Sequence, residues 1–225
     1  MNIHKIYGFF LPYFRKRRYR RFAATFHPGP NSTILDVGGY VWNWDSNLCE
    51  ARITVLNLDV PAVAAVRGNI SVVRGDGCRL PFASGSFAIG HSNSVIEHLS
   101  SWDNQVAFAR EICRVATQVW VQTPARWFLI EPHLLTPFIH YLPKSWQRHL
   151  LRYFSIWGLV TKPSPRQIEE LLLEIRLLTF AEMRQLFPDC EIRRERFFGL
   201  TKAYVAVRLD ARPQSRNSHT QEPNP

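Results

Sequence analysis

The sequence is short of several things, and each shortage excludes a class of protein. Its four cysteines, Cys49, Cys78, Cys113 and Cys190, lie far apart with no C-x-x-C pair. That spacing excludes a zinc ribbon and a disulfide scaffold, and predicts reduced, buried thiols in a cytosolic protein. No run approaches the roughly 18 apolar residues that a membrane-spanning helix needs. The apolar stretch "IYGFFLPYF" (6–14) is too short to span, and its charges follow rather than precede it, unlike a secretion signal. No internal repeat is visible, which excludes a solenoid. Acids are missing from residues 1–30, where Lys5, Arg15, Lys16, Arg17, Arg18, Arg20 and Arg21 fall. Most of the formal net charge of +10 therefore belongs to an N-terminal arm, and the body is close to neutral. A near-neutral body without an aromatic-studded basic sheet argues against an RNA-recognition module.

What remains is a globular composition, 46% hydrophobic and 13% aromatic over 225 residues. That length suits one α/β domain with a substantial core. Strand-like stretches recur at 33–38, 53–59, 69–76, 86–93 and 118–124, separated by loops and helical patterns. This alternation predicts a mostly parallel sheet. A helix is expected between the last two, with Trp102, Val106, Ala109 and Cys113 on its inner face and Ser100 with Asp103 as its capping box. A second helix is expected from Thr179, boxed with Glu182, with Phe180, Met183 and Phe187 inward. Two late strands, 190–199 and 201–209, are close enough to form an antiparallel hairpin at the sheet edge. Residues 125–178, aromatic and broken by proline, interrupt the alternation. They read as a cap above the carboxyl ends of the strands, where open α/β sheets place ligands. The polar, proline-rich 210–225 reads as a disordered tail.

The chemistry is expected at the strand ends. In "ILDVGGYVWNWD" (34–45) a strand turns at Gly38-Gly39, where the backbone approaches a ligand closely and a following helix offers free N–H groups. Asp59 ends the second strand, 21 residues after Gly38, the place of a carboxylate that accepts from ribose hydroxyls. Asp76 ends the third. G-x-G-x-x-G is absent, and three acids at successive strand ends would repel a pyrophosphate. A sulfonium ligand carrying an ammonium group tolerates them, which favours S-adenosylmethionine (SAM) over a dinucleotide.

The ordered motifs "ILDVGG", "LNLD" and "GDGCRLPFASGSFAIGHSNSVIEHL" resemble the class I, Rossmann-like SAM-dependent methyltransferases of the type 11 group over about residues 30–125. The resemblance implies an α/β fold: a seven-stranded, mostly parallel sheet with an antiparallel last strand, helices on both faces and a helical cap. It implies that Gly38 and Gly39 line the methionine part of SAM and that Asp36 orients the loop and the amine. Asp59 takes the ribose hydroxyls, and Asp76 accepts from the adenine amine with the Gly77 backbone beside it. Ser92 and Asn93 lie under the methionyl group.

On the acceptor side, His98 is a candidate general base after strand four, since an imidazole titrates near neutrality. The competing reading of "IEHL" is a structural turn. Glu131 and His133 in the cap are further catalytic candidates. Trp127, Phe128, Phe138, Tyr141 and Trp146 either wall an apolar substrate or pack the cap onto the sheet. Some relatives bind a divalent metal through an E-x-x-E-H arrangement, but Ser94 replaces its first carboxylate here, so a metal site with His133 or His140 is the weaker reading and none is expected.

Tyr19, Phe22, Ala23 and Phe26 lie at i, i+3, i+4 and i+7, a stripe expected to dock on the domain. Residues 9–21 join rings to basic side chains, a pairing suited to an anionic membrane. The expected protein is a cytoplasmic, membrane-associated enzyme that methylates a small molecule such as a lipid, quinone-like compound or glycan. Methylation of RNA or ribosomal protein, and a non-catalytic SAM-binding scaffold, are the alternatives.

Overall fold

The computed structural model describes residues 17–44, 49–60, 68–131 and 136–209. Seven strands form one sheet in the order β3-β2-β1-β4-β5-β9-β8. These are β1 (Thr33–Val37), β2 (Arg52–Asn57), β3 (Ile70–Arg74), β4 (Phe87–Asn93), β5 (Ala116–Pro124), β8 (Glu191–Phe197) and β9 (Leu200–Arg208). The first five pair in parallel, and β9 runs antiparallel between β5 and β8. The expected edge hairpin is thus present, its second strand lying inside the first.

Side chains alternate across the strands, so the sheet has two apolar faces. On one, Leu35, Val37, Leu56, Val119 and Val121 pack against α2 (Trp102–Val115) and α6 (Phe180–Leu186). On the other, Ile34, Ile53, Val55, Ile89 and Trp120 are covered by α1, the helix over residues 17–26, and by Trp44. Phe22, at the centre of the α1 stripe, is fully buried, with Tyr19 and Phe26 packed beside it.

Two local expectations are corrected. The cap of α2 is Ser101, whose hydroxyl accepts from the Asn104 amide, and not Ser100 with Asp103. Ser100 has a φ of 61° and donates its own amide to the Glu174 carbonyl, so the chain turns there one residue before the helix begins. The buried stripe of α2 is accordingly Gln105, Phe108, Ala109, Ile112 and Val115, with Trp102, Val106 and Cys113 on its flanks. After the glycine turn stands a three-residue 3₁₀ turn, Val41–Asn43, in place of the expected helix. The second helix is as expected: Thr179 and Glu182 form the capping box of α6, with Met183 and Phe187 buried.

The cap contains the short hairpin β6 (Ile130–Glu131) and β7 (Thr136–Pro137), then α3 (Lys144–Phe154), α4 (Ile156–Thr161) and α5 (Pro165–Glu174). Ile139, Leu151, Ile168 and Leu172 give it a small core of its own. Buried Gln105 ties it to the sheet layer, its amide donating to the carbonyls of Ile96 and Arg176. The N-terminal residues 1–16 and the tail 210–225 lie outside the described residues.

Candidate active site

The candidate site is the carboxyl edge of β1 to β5. Asp36 is the fourth residue of β1, only 1% exposed, and opposite His91 in the β1–β4 register. Its Oδ2 accepts from Trp44 Nε1 at 2.7 Å, and its Oδ1 lies 2.8 Å from His91 Nδ1. A carboxylate only accepts, so this contact places a proton on Nδ1, and in the neutral ring Nε2 then carries the lone pair. Phe22, at 5.1 Å, and Trp44, at 5.2 Å, meet the imidazole edge to face.

Both glycines are required, each for its own reason. Gly38 has a φ of 76°, and a Cβ there would lie 2.6 Å from Val95. A Cβ on Gly39 would lie 1.8 Å from the Asp36 carboxylate. The second glycine therefore makes room for the chain's own buried acid. Asn57, the last residue of β2, clamps this turn by donating Nδ2 to the carbonyls of Gly38 and Gly39. Its Oδ1 accepts from the Asp59 amide, and its carbonyl accepts from Gly75. Asn57 thus joins the ends of three strands. Neither Asn57, His91 nor Trp44 was expected from the sequence, and His91 carries a recognisable signal only in retrospect, as a polar residue inside a strand pattern.

Asp59 lies two residues beyond β2 rather than at its end, and its side chain is exposed. Asp76 likewise stands beyond β3, exposed, with Oδ1 accepting from the Cys78 amide at 2.8 Å. Burial, then the charge of Asp76, pushes the Cys78 thiol up to about 11. Gly77 is closely packed: a Cβ there would touch Val37 and the Phe108 ring. Ser92 is fully buried, its hydroxyl donated to the Val37 carbonyl at 2.9 Å, which locks β4 to the end of β1. Asn93 is half-buried, and its Oδ1 has no hydrogen-bond partner among the described residues.

Asn93 opens onto a cavity of about 50 Å³ beneath α1, shared with Arg18, Tyr19, His91, Trp120 and Gln122. Gln122 Oε1 is a second buried acceptor without a partner among the described residues. Its Nε2 donates to Glu195, a buried carboxylate that also pairs with Arg21 of α1 and, at 3.4 Å, with Lys202. Burial lowers the Lys202 pKa, and Glu195 opposes that shift. The lining of this cavity thus includes two side chains with a carbonyl oxygen that has no partner among the described residues, together with the His91 imidazole.

The other expected residues are elsewhere. His98 closes the 3₁₀ turn Ile96–His98, and its Nδ1 lies 2.7 Å from Glu174 Oε1 at the end of α5. It does not line the cavity under α1. Glu97, next to it, is fully buried and accepts from Thr123 Oγ1. Glu131 ends the short strand β6, and His133 lies outside the described residues. Of the cap rings, Phe128 packs on the core, whereas Trp127, Phe138, Tyr141 and Trp146 are exposed. Among the described residues no three His, Cys, Asp or Glu gather as a metal site. His98→Ala should cost about 1 kcal/mol of stability and loosen the cap, as one hydrogen bond predicts. Limited proteolysis within 140–175 should then speed up equally in His98→Ala and Glu174→Ala. Faster cleavage in neither variant would remove His98 from the docking of the cap.

A sheet of order 3-2-1-4-5 extended by an antiparallel strand, with its polar residues at the carboxyl edge, is the class I, Rossmann-like fold of SAM-dependent methyltransferases. Residues 35–118 match the type 11 family model, which is described as a methyltransferase domain. No curated protein matches the sequence. Solved structures share the fold. One is a chain from the complex of the Haloferax volcanii Trm112 methyltransferase activator with a protein assigned to the methyltransferases. It is 12% identical, with 91% of this chain and 93% of that chain covered and a TM-score of 0.55. A protein from Bordetella parapertussis is 16% identical over 86% of this chain and 66% of its own, with a TM-score of 0.54. A SAM-dependent methyltransferase from Aquifex aeolicus is 12% identical over 86% and 87%, with a TM-score of 0.46. At these identities the likeness of the first two chains concerns the fold alone.

Proposed function

We propose that the protein transfers a methyl group from SAM to a small-molecule acceptor. The observation that carries this reading is the pair of exposed carboxylates, Asp59 and Asp76, beyond the ends of β2 and β3 and flanking the Gly38-Gly39 turn. Exposed acceptors without a core role are what a ribose diol and an adenine amine need. The fit is good at that end. At the methionine end, Tyr40 and Trp42 stack 4.2 Å apart beside the turn, and the helix N-terminus of the usual site is replaced by the 3₁₀ turn. Amine recognition in this reading falls to the unpartnered Asn93 Oδ1 rather than to Asp36, whose two oxygens are taken.

Bound SAM supplies a methyl group already activated by its sulfonium. The chain's task is then to hold a nucleophile in line with it, exclude water and accept a proton. The α1 helix supplies the cover, with Phe22 and Tyr19 against the sheet. His91 Nε2 supplies the proton acceptor, oriented by Asp36 in the manner of an acid–imidazole pair. His91 takes this role ahead of His98 because it lines the cavity. The basic arm, residues 9–21, is proposed as a contact with anionic membrane. Among the described residues no helix is long and apolar enough to cross one.

Calorimetry tests the reading. Asp59→Ala should lower SAM affinity at least about tenfold, the loss of a charge-assisted hydrogen bond of roughly 1.5–3 kcal/mol. Asp76→Ala should lower it by a similar or smaller factor. Being exposed, both residues should leave stability within about 0.5 kcal/mol of the parent. Wild-type protein that binds no SAM would overturn the cofactor. Binding without labelled methyl transfer into cell extract would support the scaffold, and label entering RNA or ribosomal protein would reassign the acceptor.

A further inference from the structure

The cap carries a second feature that the methyltransferase reading does not use. Residues 132–168 contain no acid, yet include Lys144, Arg148, Arg152, Lys162 and Arg166. Within this stretch α3 has a buried side and an exposed aromatic side. Gln147 and Leu151 turn inward to the cap. Trp146 and Tyr153, seven positions apart and so on one side of the helix, are 62% and 65% exposed. Phe154 beside them is 69% exposed, and α4 adds exposed Ile156 and Leu159. Burying such side chains is favourable at about 25 cal/mol per Å². A cluster left in water therefore points to a partner that covers it.

The chemistry of the cluster selects the partner. Arg148 is paired with Glu169 and Arg166 with Glu170, both acids of α5. Neither α3 nor α4 contains an acid, and Arg152 stands 6.0 Å from the centre of the Tyr153 ring. Rings with Arg and Lys at their margin match the interfacial zone of a bilayer, where Trp and Tyr settle at headgroup level. Exposed Ile156 and Leu159 have nothing to stack on or bond to in a nucleic acid, but enter acyl chains favourably.

We propose that the α3–α4 face of the cap docks on an anionic phospholipid bilayer, its rings in the interface and Arg152 and Lys162 on headgroup phosphates. The proposal does not depend on the methyltransferase reading, and it adds a contact separate from the arm.

The test uses the full chain and mixed phosphatidylcholine–phosphatidylglycerol vesicles at low salt. Trp146→Gln/Tyr153→Gln/Phe154→Gln, which keeps the arm, should weaken co-sedimentation about tenfold or more, and Arg152→Gln/Lys162→Gln should weaken it by several-fold. Circular dichroism of both variants should match the parent. Brominated lipid should quench tryptophan emission of the wild type, and Trp146→Phe should remove most of that quenching. Vesicle binding by the triple variant equal to wild type, or quenching unchanged in Trp146→Phe, overturns the proposal. So does a wild-type dimer in sedimentation velocity that the triple variant dissolves, which makes the face a homodimer contact. Wild-type protein that ignores vesicles but binds single-stranded RNA through these rings overturns it in favour of nucleic acid.

Discussion

Asp36→Ala should destabilise the protein by about 2–5 kcal/mol, read as a lower denaturant midpoint at unchanged slope. The carboxylate is 1% exposed and serves two donors, Trp44 Nε1 and His91 Nδ1. Its removal leaves both without an acceptor in the most crowded part of the aromatic layer, and an unpartnered buried donor costs about 1–3 kcal/mol. The effect reaches the site as well. His91 loses the bond that places its proton on Nδ1, and Trp44 loses its tether at the end of the 3₁₀ turn. Gly39→Ala should produce a related defect from the other side, because its Cβ would overlap the same carboxylate. The discriminating control is the double variant Asp36→Ala/Gly39→Ala, in which the clash has gone. It should be no less stable than Asp36→Ala alone, a non-additivity expected of groups in contact. Stability of Asp36→Ala within about 0.5 kcal/mol of the parent would remove the carboxylate from the centre of this region.

Glu195→Ala should cost about 2–3 kcal/mol, with a signature in its pH dependence. Breaking a buried pair costs roughly 3–5 kcal/mol when the remaining charge stays buried, and the figure is discounted because Arg21 is partly exposed and can rehydrate. Lys202 is the group left behind. Its pKa is already lowered, by burial first, and Glu195 is what holds it up. Without Glu195 it falls further. A basic group with a depressed folded pKa binds fewer protons folded than unfolded between its two pKa values, so stability there rises with pH. The deficit of Glu195→Ala should therefore shrink as pH rises from the Lys202 value in the variant to its higher, though still lowered, value in the parent, and run flat above that. Urea titrations across that window measure it. A deficit that grows or stays flat across that window would show that Glu195 does not hold up the Lys202 charge. Because Arg21 belongs to α1, the same variant should also loosen the cover of the cavity, and Phe22 contacts should weaken with it.

Much of this architecture is legible in the chain, and the limits of legibility have a pattern. The five parallel strands, the late hairpin, the Thr179–Glu182 box and the docking stripe of α1 all rest on spacings within a dozen residues. Period-two and period-3.6 patterns encode those directly. The acids of the site were visible for the same reason, as polar punctuation at the ends of apolar runs. The α2 cap was misplaced by one residue because Ser100 is recruited by the Glu174 carbonyl, a partner far along the chain.

The sequence by itself determined the class of fold and the placing of Asp59 and Asp76 just beyond strand ends. These follow from alternation and from where runs stop. Only the tertiary structure decided what Asp36, Gly39 and the histidines do. Asp36 and His91 meet because parallel pairing of β1 with β4 sets them side by side, and no local pattern records that register. Once they meet, the Asp36 carboxylate is satisfied inside the protein, Gly39 is the residue that leaves room for it, and His91 becomes the imidazole at the cavity. His98 is drawn instead to Glu174, because the cap folds back onto the end of β4. Burial and long-range hydrogen bonding assigned these roles, and both depend on which distant segments the core brings together.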